Sequence, residues 1–115
     1  MELSVKQEEG IVVLSLSGEL DARTAPQLTR YFHEKINGDA PQVVADLKGL
    51  TYSSSAGIRV FLGMARETRQ HGGDLRIAAV TPQVDKVFKL SKFDKIVLMF
   101  TSVEEAVNSF KTTER

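Results

Sequence analysis

From Ile11 to Phe110, short apolar runs alternate with amphipathic stretches of helical period, and most of those runs are too brief to be anything but strands. Strands separated by a helix pair in parallel, because a crossover of that length returns the chain to the same end of the sheet, and such crossovers are right-handed. Gln42-Val43-Val44-Ala45, bounded by Pro41 and Asp46, suits a strand buried on both faces. Asp74 to Val80 alternates polar and apolar residues as a strand does, and Ile96 to Phe100 reads as the last strand. The chain opens differently. Leu3 and Val5 stand two apart before a turn at Glu8-Glu9-Gly10, and Ile11 to Gly18 follows, which predicts an antiparallel hairpin.

The helices are marked by their ends. Asp21 or Thr24 can cap the first, Pro26 fits its first turn, Leu28, Phe32 and Ile36 recur at four-residue steps, and Asn37-Gly38 closes it. The second begins near Ser54 or Ser55, carries Ile58, Phe61, Leu62 and Ala65, and stops at His71-Gly72-Gly73. Thr81-Pro82 opens a third with Val84, Val87 and Phe88, followed by a loop at Ser91 to Asp94. Ser102 and Glu105 form a capping-box pattern ahead of Val103, Ala106, Val107 and Phe110. The order β-β-α-β-α-β-α-β-α predicts an α/β fold. Its sheet is mostly parallel, of about five strands with an antiparallel N-terminal strand, and about four helices accompany it.

At 115 residues the chain has the size of one domain, expected over 1–111 with a frayed polar tail at 112–115. Fifteen basic residues balance fifteen acidic ones, so the positive excess that favours nucleic acid is missing. No cysteine is present, which excludes disulfides and thiol catalysis. Two histidines without cysteines lack metal-ligand spacing, and no cofactor or metal is expected. No apolar run reaches the ~20 residues of a membrane span, and the opening Met1-Glu2-Leu3-Ser4-Val5-Lys6 lacks a basic-then-apolar signal. The expectation is a cytoplasmic protein without direct membrane insertion.

Ser53-Ser54-Ser55 stands where a strand gives way to a helix. One serine suffices as an N-cap, worth ~1 kcal/mol, and that use alone explains one hydroxyl. The surplus hydroxyls lie at the outer end of a parallel strand, where ligands and partners of α/β sheets dock. A phosphate on Ser55 would add ~1.5 to 2 negative charges beside unpaired amides that favour them. In a protein interface the same charge without a cationic partner would cost several kcal/mol. The turn therefore suits a switch of binding that leaves the fold intact.

Gly18-Glu19-Leu20-Asp21 resembles the Gly-Glu-Leu-Asp element of the bacterial anti-sigma factor antagonists, single-domain members of the STAS family. Asp46-Leu47-Lys48-Gly49-Leu50-Thr51-Tyr52 with Ser54-Ser55-Ala56-Gly57-Ile58 resembles that family's signature, Asp-Leu-Ser-x-Val/Leu-x-Phe/Tyr-x-Asp-Ser-Ser/Thr-Gly-Leu/Ile. Gly72-Gly73-Asp74-Leu75 matches its Gly-Gly-x-Leu entry to the next strand, so the likeness covers nearly the whole chain. The resemblance implies a substrate of a kinase and not an enzyme. Unphosphorylated, it would bind an anti-sigma factor that is itself a serine kinase. Phosphorylated on Ser55, with Ser54 as the rival acceptor, it would let go until a PP2C-type serine phosphatase restores it, regulating transcription by partner switching. Two departures bear on the phosphosite: Ser54 replaces the signature's acidic residue, and Ala56 its second hydroxyl residue. Asp21 aligns with the family's aspartate near the phosphosite, although it also serves as a helix cap. The candidate contact set is Asp21, Ser54, Ser55, Ala56, Gly57, Arg59 and Gly63, the last two from their expected place on the solvent face of the second helix at i, i+4 spacing near the serines. Arg59 is otherwise a solvated helix charge, and Tyr52 reads either as core packing or as an interfacial ring.

Other classes fit less well. Ser53 to Gly57 looks like a degraded nucleophile elbow, with Ser53 in place of the first glycine. The base is missing too. His33 lies beside Glu34-Lys35 in the first helix, and His71 is expected at the far end of a helix about 16 residues, or ~24 Å, long. His71 more simply serves the carbonyls that end that helix. A nucleotide-binding module lacks both glycine-rich phosphate motifs. A stand-alone STAS subunit of a lipid- or anion-transport complex remains an alternative within the family.

Overall fold

The computed structural model describes residues 1–111, and the tail expected at 112–115 lies outside the described residues. Strands β1 (Glu2–Glu8) and β2 (Ile11–Leu20) form the predicted hairpin. Its two-residue turn puts Glu9 and Gly10 at φ of 55° and 83°, the left-handed pair that matches the twist of the flanking strands. Helix α1 (Ala25–Lys35) leads to β3 (Gln42–Ser53), then α2 (Ser55–Gln70), β4 (Asp74–Ala78), α3 (Pro82–Leu90), β5 (Met99–Phe100) and α4 (Val103–Lys111). The sheet order is β1-β2-β3-β4-β5, antiparallel between β1 and β2 and parallel elsewhere. The α/β architecture read from the sequence is the one observed.

β2 runs two residues past expectation to Leu20 and β4 stops two short at Ala78, and two further strands differ more. β3 does not end at Asp46 but runs on to Ser53, lengthened by two irregularities against β2. Ser15 faces Asp46 while Ser17 faces Gly49, and Gly18 faces Leu50 while Glu19 faces Tyr52, so β3 carries an extra residue at each point. The buried Asp46 carboxylate accepts the Lys48 N–H at 3.2 Å, and the Thr51 hydroxyl donates to the Gly18 carbonyl at 3.0 Å. Polar residues that look like a turn are thus bulge residues. At the other edge only Met99 and Phe100 of the expected Ile96–Phe100 run form a strand, and Ile96 and Leu98 are exposed. The loop expected at Ser91–Asp94 instead enters a 3-10 turn, Phe93–Lys95, because Phe93 is fully buried.

Two clusters lie on opposite faces of the sheet. α1, α2 and α3 cover one face through Leu28, Phe32, Ile58, Phe61, Met64, Val84 and Phe88. Phe61, Phe88 and Phe93 meet with centroids 4.7 to 6.1 Å apart, tying α2 and α3 to the 3-10 turn. α4 covers part of the other face, setting Ala106, Val107 and Phe110 on Ile11, Val13, Val44 and Ala78. Its Ser102 hydroxyl accepts the Glu105 N–H at 3.1 Å. Glu105 does not return the bond to Ser102 as a full capping box would; its carboxylate accepts from Thr101 instead.

Candidate functional site

The three serines fall at the carboxyl end of β3, the middle strand of the sheet, and the structure gives each a separate place. Ser53 ends the strand, is buried, and donates its hydroxyl to the Ser54 carbonyl at 3.2 Å. Ser54 is the N-cap of α2, with extended backbone and a hydroxyl that accepts the Ala56 N–H at 3.2 Å. Ser55 is the first helical residue and is exposed. Its N–H has no partner among the described residues, as expected for the first turn of a helix. Serine caps a helix about as well as aspartate does. Ser54 in place of an acidic residue therefore keeps the cap and removes a negative charge.

Asp21 is brought beside this turn by the β2–β3 pairing: Leu20 faces Ser53, and the Leu20 carbonyl accepts the Ser54 N–H at 2.9 Å. Its carboxylate takes the Arg23 N–H at 2.9 Å and the Thr24 N–H at 3.2 Å, and binds the Arg23 guanidinium at 3.1 Å. Thr24 occupies the N-cap of α1 without capping it; its hydroxyl donates to the Glu19 carbonyl at 2.9 Å and accepts the Asp21 N–H at 2.9 Å. Asp21 therefore orders the turn ahead of α1. The Arg23 side-chain hydrogen bond, joined by the two backbone N–H groups, holds its carboxyl below the usual carboxylate range. At neutral pH Asp21 is ionised and paired with Arg23.

Of the other predicted contact residues, Ala56 is half-buried, Arg59 is exposed one turn beyond Ser55, and Gly63 is half-buried one turn further. Arg59 and Gly63 line a groove between α1 and α2, with Thr29, Val60 and His33 along its walls. A Cβ on Gly63 would meet nothing within 4 Å, so the glycine leaves bare backbone at the groove. Gly63→Ala is expected to stabilise the fold by about 0.5–1 kcal/mol through helix propensity, read as a higher thermal midpoint; a lower midpoint would mean the groove is closed. Gly57 differs from the rest. It is buried, and a Cβ there would stand 2.5 Å from the Ser53 hydroxyl and 2.7 Å from Leu20, so it sets the approach of helix to strand. Tyr52 is half exposed, not part of the core.

The histidines are far from this turn in role. His33 pairs with Glu67 at 3.0 Å, joining α1 to α2, and His71 donates from Nδ1 to the Glu67 carbonyl at 2.9 Å at the end of α2. Among the described residues no group of three or more His, Asp or Glu side chains is placed to hold a metal ion, and no helix is long and apolar enough to cross a membrane.

The STAS domain family model matches residues 2–106. The chain belongs to the STAS family. Two relatives match almost end to end. A Bordetella bronchiseptica protein, BtrV, assigned by name to the anti-sigma factor antagonists, is 35% identical over 112 residues, covering 97% of both chains. The anti-sigma F factor antagonist of Paenibacillus polymyxa is 26% identical over 112 residues, covering 96% of both. The crystal structure of an anti-sigma factor antagonist from Mycobacterium paratuberculosis superposes with a TM-score of 0.84 at 24% identity, over 94% of this STAS chain and 92% of that one. The fold of this STAS domain is thus that of proteins of nearly its own length. Sequence reasoning placed the serine turn correctly between strand and helix; what it could not assign was which hydroxyl each position leaves free. That depends on where the strand stops, and the two bulges in β3 hide its end.

Proposed function

We propose that this STAS domain is an anti-sigma factor antagonist whose hold on its partner is switched by phosphorylation of Ser55. The observation that carries the reading is the division of labour among the serines: Ser53 is buried, Ser54 is spent on the cap, and Ser55 is exposed with an unused hydroxyl. The class of partner rests on the full-length likeness to relatives named as antagonists of anti-sigma factors. Unphosphorylated, the chain binds an anti-sigma factor that is also a serine kinase, through Ser54, Ser55 and Ala56 with Asp21, Arg59 and Gly63 around them. Gly57 contributes by fixing the height of the helix.

In the transfer step the Ser55 hydroxyl oxygen bonds to the γ-phosphorus of ATP on the kinase, the bond to ADP breaks, and the hydroxyl proton leaves to a base of the kinase. The chain is the substrate and supplies no catalytic group. A PP2C-type phosphatase directs water at the same phosphorus and releases phosphate, restoring the hydroxyl. The phosphoserine is tolerated because it caps the positive end of the α2 dipole. It is not tolerated at a docked surface, where a doubly charged group without a cation costs several kcal/mol.

The test is incubation of the purified chain with candidate anti-sigma kinases and ATP, followed by mass spectrometric mapping. Phosphate is expected on Ser55 and is lost in Ser55→Ala. Phosphate on Ser54 alone, with Ser55→Ala still fully modified, would overturn the assignment.

A further inference from the structure

β1 is an end strand of the sheet, and among the described residues nothing pairs with its outer edge. Along Glu2-Leu3-Ser4-Val5-Lys6 the side chains alternate: Glu2, Ser4 and Lys6 are exposed on one face, while Leu3 and Val5 lean half-buried on the helical face. We propose that this edge pairs with the same edge of a second copy of the chain, antiparallel and centred on Ser4.

The register follows from charge. A two-fold axis normal to the sheet sets residues of like parity opposite each other, since facing residues share a face. Centred on Ser4, each Glu2 faces Lys6 of the copy, Leu3 faces Val5, and Ser4 faces Ser4. Centring on Val5 would set Glu2 against Glu8 twice, and centring on Lys6 would set lysine against lysine, each a destabilising like-charge pair. Lysine on an edge strand ordinarily discourages pairing; in this register it meets a glutamate, as it also would centred on Gln7, where Val5 would face the turn residue Glu9. Lys6 already lies 3.7 Å from Glu8 of its own strand, so the joined edge would carry a short row of alternating charges. On the other face, the half-covered Leu3 and Val5 gain apolar neighbours from the copy.

The product is a ten-stranded sheet. Because the axis reverses strand direction, the two Ser55 turns stand at opposite ends of it, both open. The dimer therefore leaves partner docking unobstructed and presents two sites that one compact partner cannot cover together.

A single-strand contact lies at the small end of interface sizes, so weak association is expected. Sedimentation of the untagged chain from about 10 μM to about 1 mM should show a monomer–dimer equilibrium that weakens with added salt. Glu2→Lys and Lys6→Glu should each weaken it at least about tenfold, and the doubly exchanged variant should recover association, since its pairs are again opposite in sign. Amides of residues 2–6 should gain exchange protection with rising concentration. Circular-dichroism melts keep the variants honest as folded proteins. A monomer throughout, single variants that associate as the parent does, or a double variant as weak as the singles would each overturn the proposal, without touching the serine switch.

Discussion

Ser55→Asp is expected to weaken binding to the anti-sigma partner by about a hundredfold or more while moving the thermal midpoint little. The two effects separate because the carboxylate sits at the first residue of α2, where the dipole and the free Ser55 amide accept a negative charge. Exposed substitutions there change stability by roughly 0.5 kcal/mol or less. In the complex the same charge is desolvated without a counter-ion, and several kcal/mol is two or more powers of ten in affinity. Ser55→Ala should bind as the parent does and resist release by ATP. Calorimetric titration with the partner reads both. Tight binding by Ser55→Asp would place the docking surface elsewhere, and a collapsed melt would mean that Ser55 is structural.

Gly57→Ala is expected to do the reverse, lowering stability first. The added methyl would stand 2.5 Å from the Ser53 hydroxyl and 2.7 Å from Leu20, closer than such atoms approach. Leu20 is fully buried at the end of β2, and the Ser53 hydroxyl is held by the Ser54 carbonyl, so neither has room to yield. The start of α2 must lift from the sheet. Overpacking of this kind costs about 1–3 kcal/mol, against about 1 kcal/mol returned by alanine's helix propensity. The net loss should lower the thermal midpoint by several degrees, on the order of 5 °C. Partner affinity should fall as well, because Ser55 rides on the displaced turn. An unchanged midpoint would show that the helix does not bear on Leu20 and Ser53.

Most of the architecture was legible because periodicity and end signals agree. Thr81-Pro82 caps and opens α3 as read, with the Thr81 hydroxyl accepting the Val84 N–H at 3.4 Å. Asp74 begins β4 directly after His71-Gly72-Gly73 closes α2. The misreadings have one cause: tertiary pairing decides what local composition cannot. Asp46, Lys48 and Gly49 look like a turn but lie in a strand, because β2 pairs along them and the bulges absorb the polar residues. Ile96 and Leu98 look like strand residues but precede a two-residue edge strand and stand about half exposed. At the site, the turn and its residue types were visible, whereas the exposure of Tyr52 and the burial of Gly57 were not. Both depend on how the end of β3 meets α2.

The smaller cluster under α4 has a practical side. Among the described residues, that helix packs on Ile11, Val13, Val44 and Ala78 on its face of the sheet. Should it detach, three adjacent strands would show a greasy stripe to any passing chain. Damage at this end would thus reach the test tube as clumping before it dulled the switch, and a preparation that precipitates while its soluble fraction still binds would trace the fault to that helix.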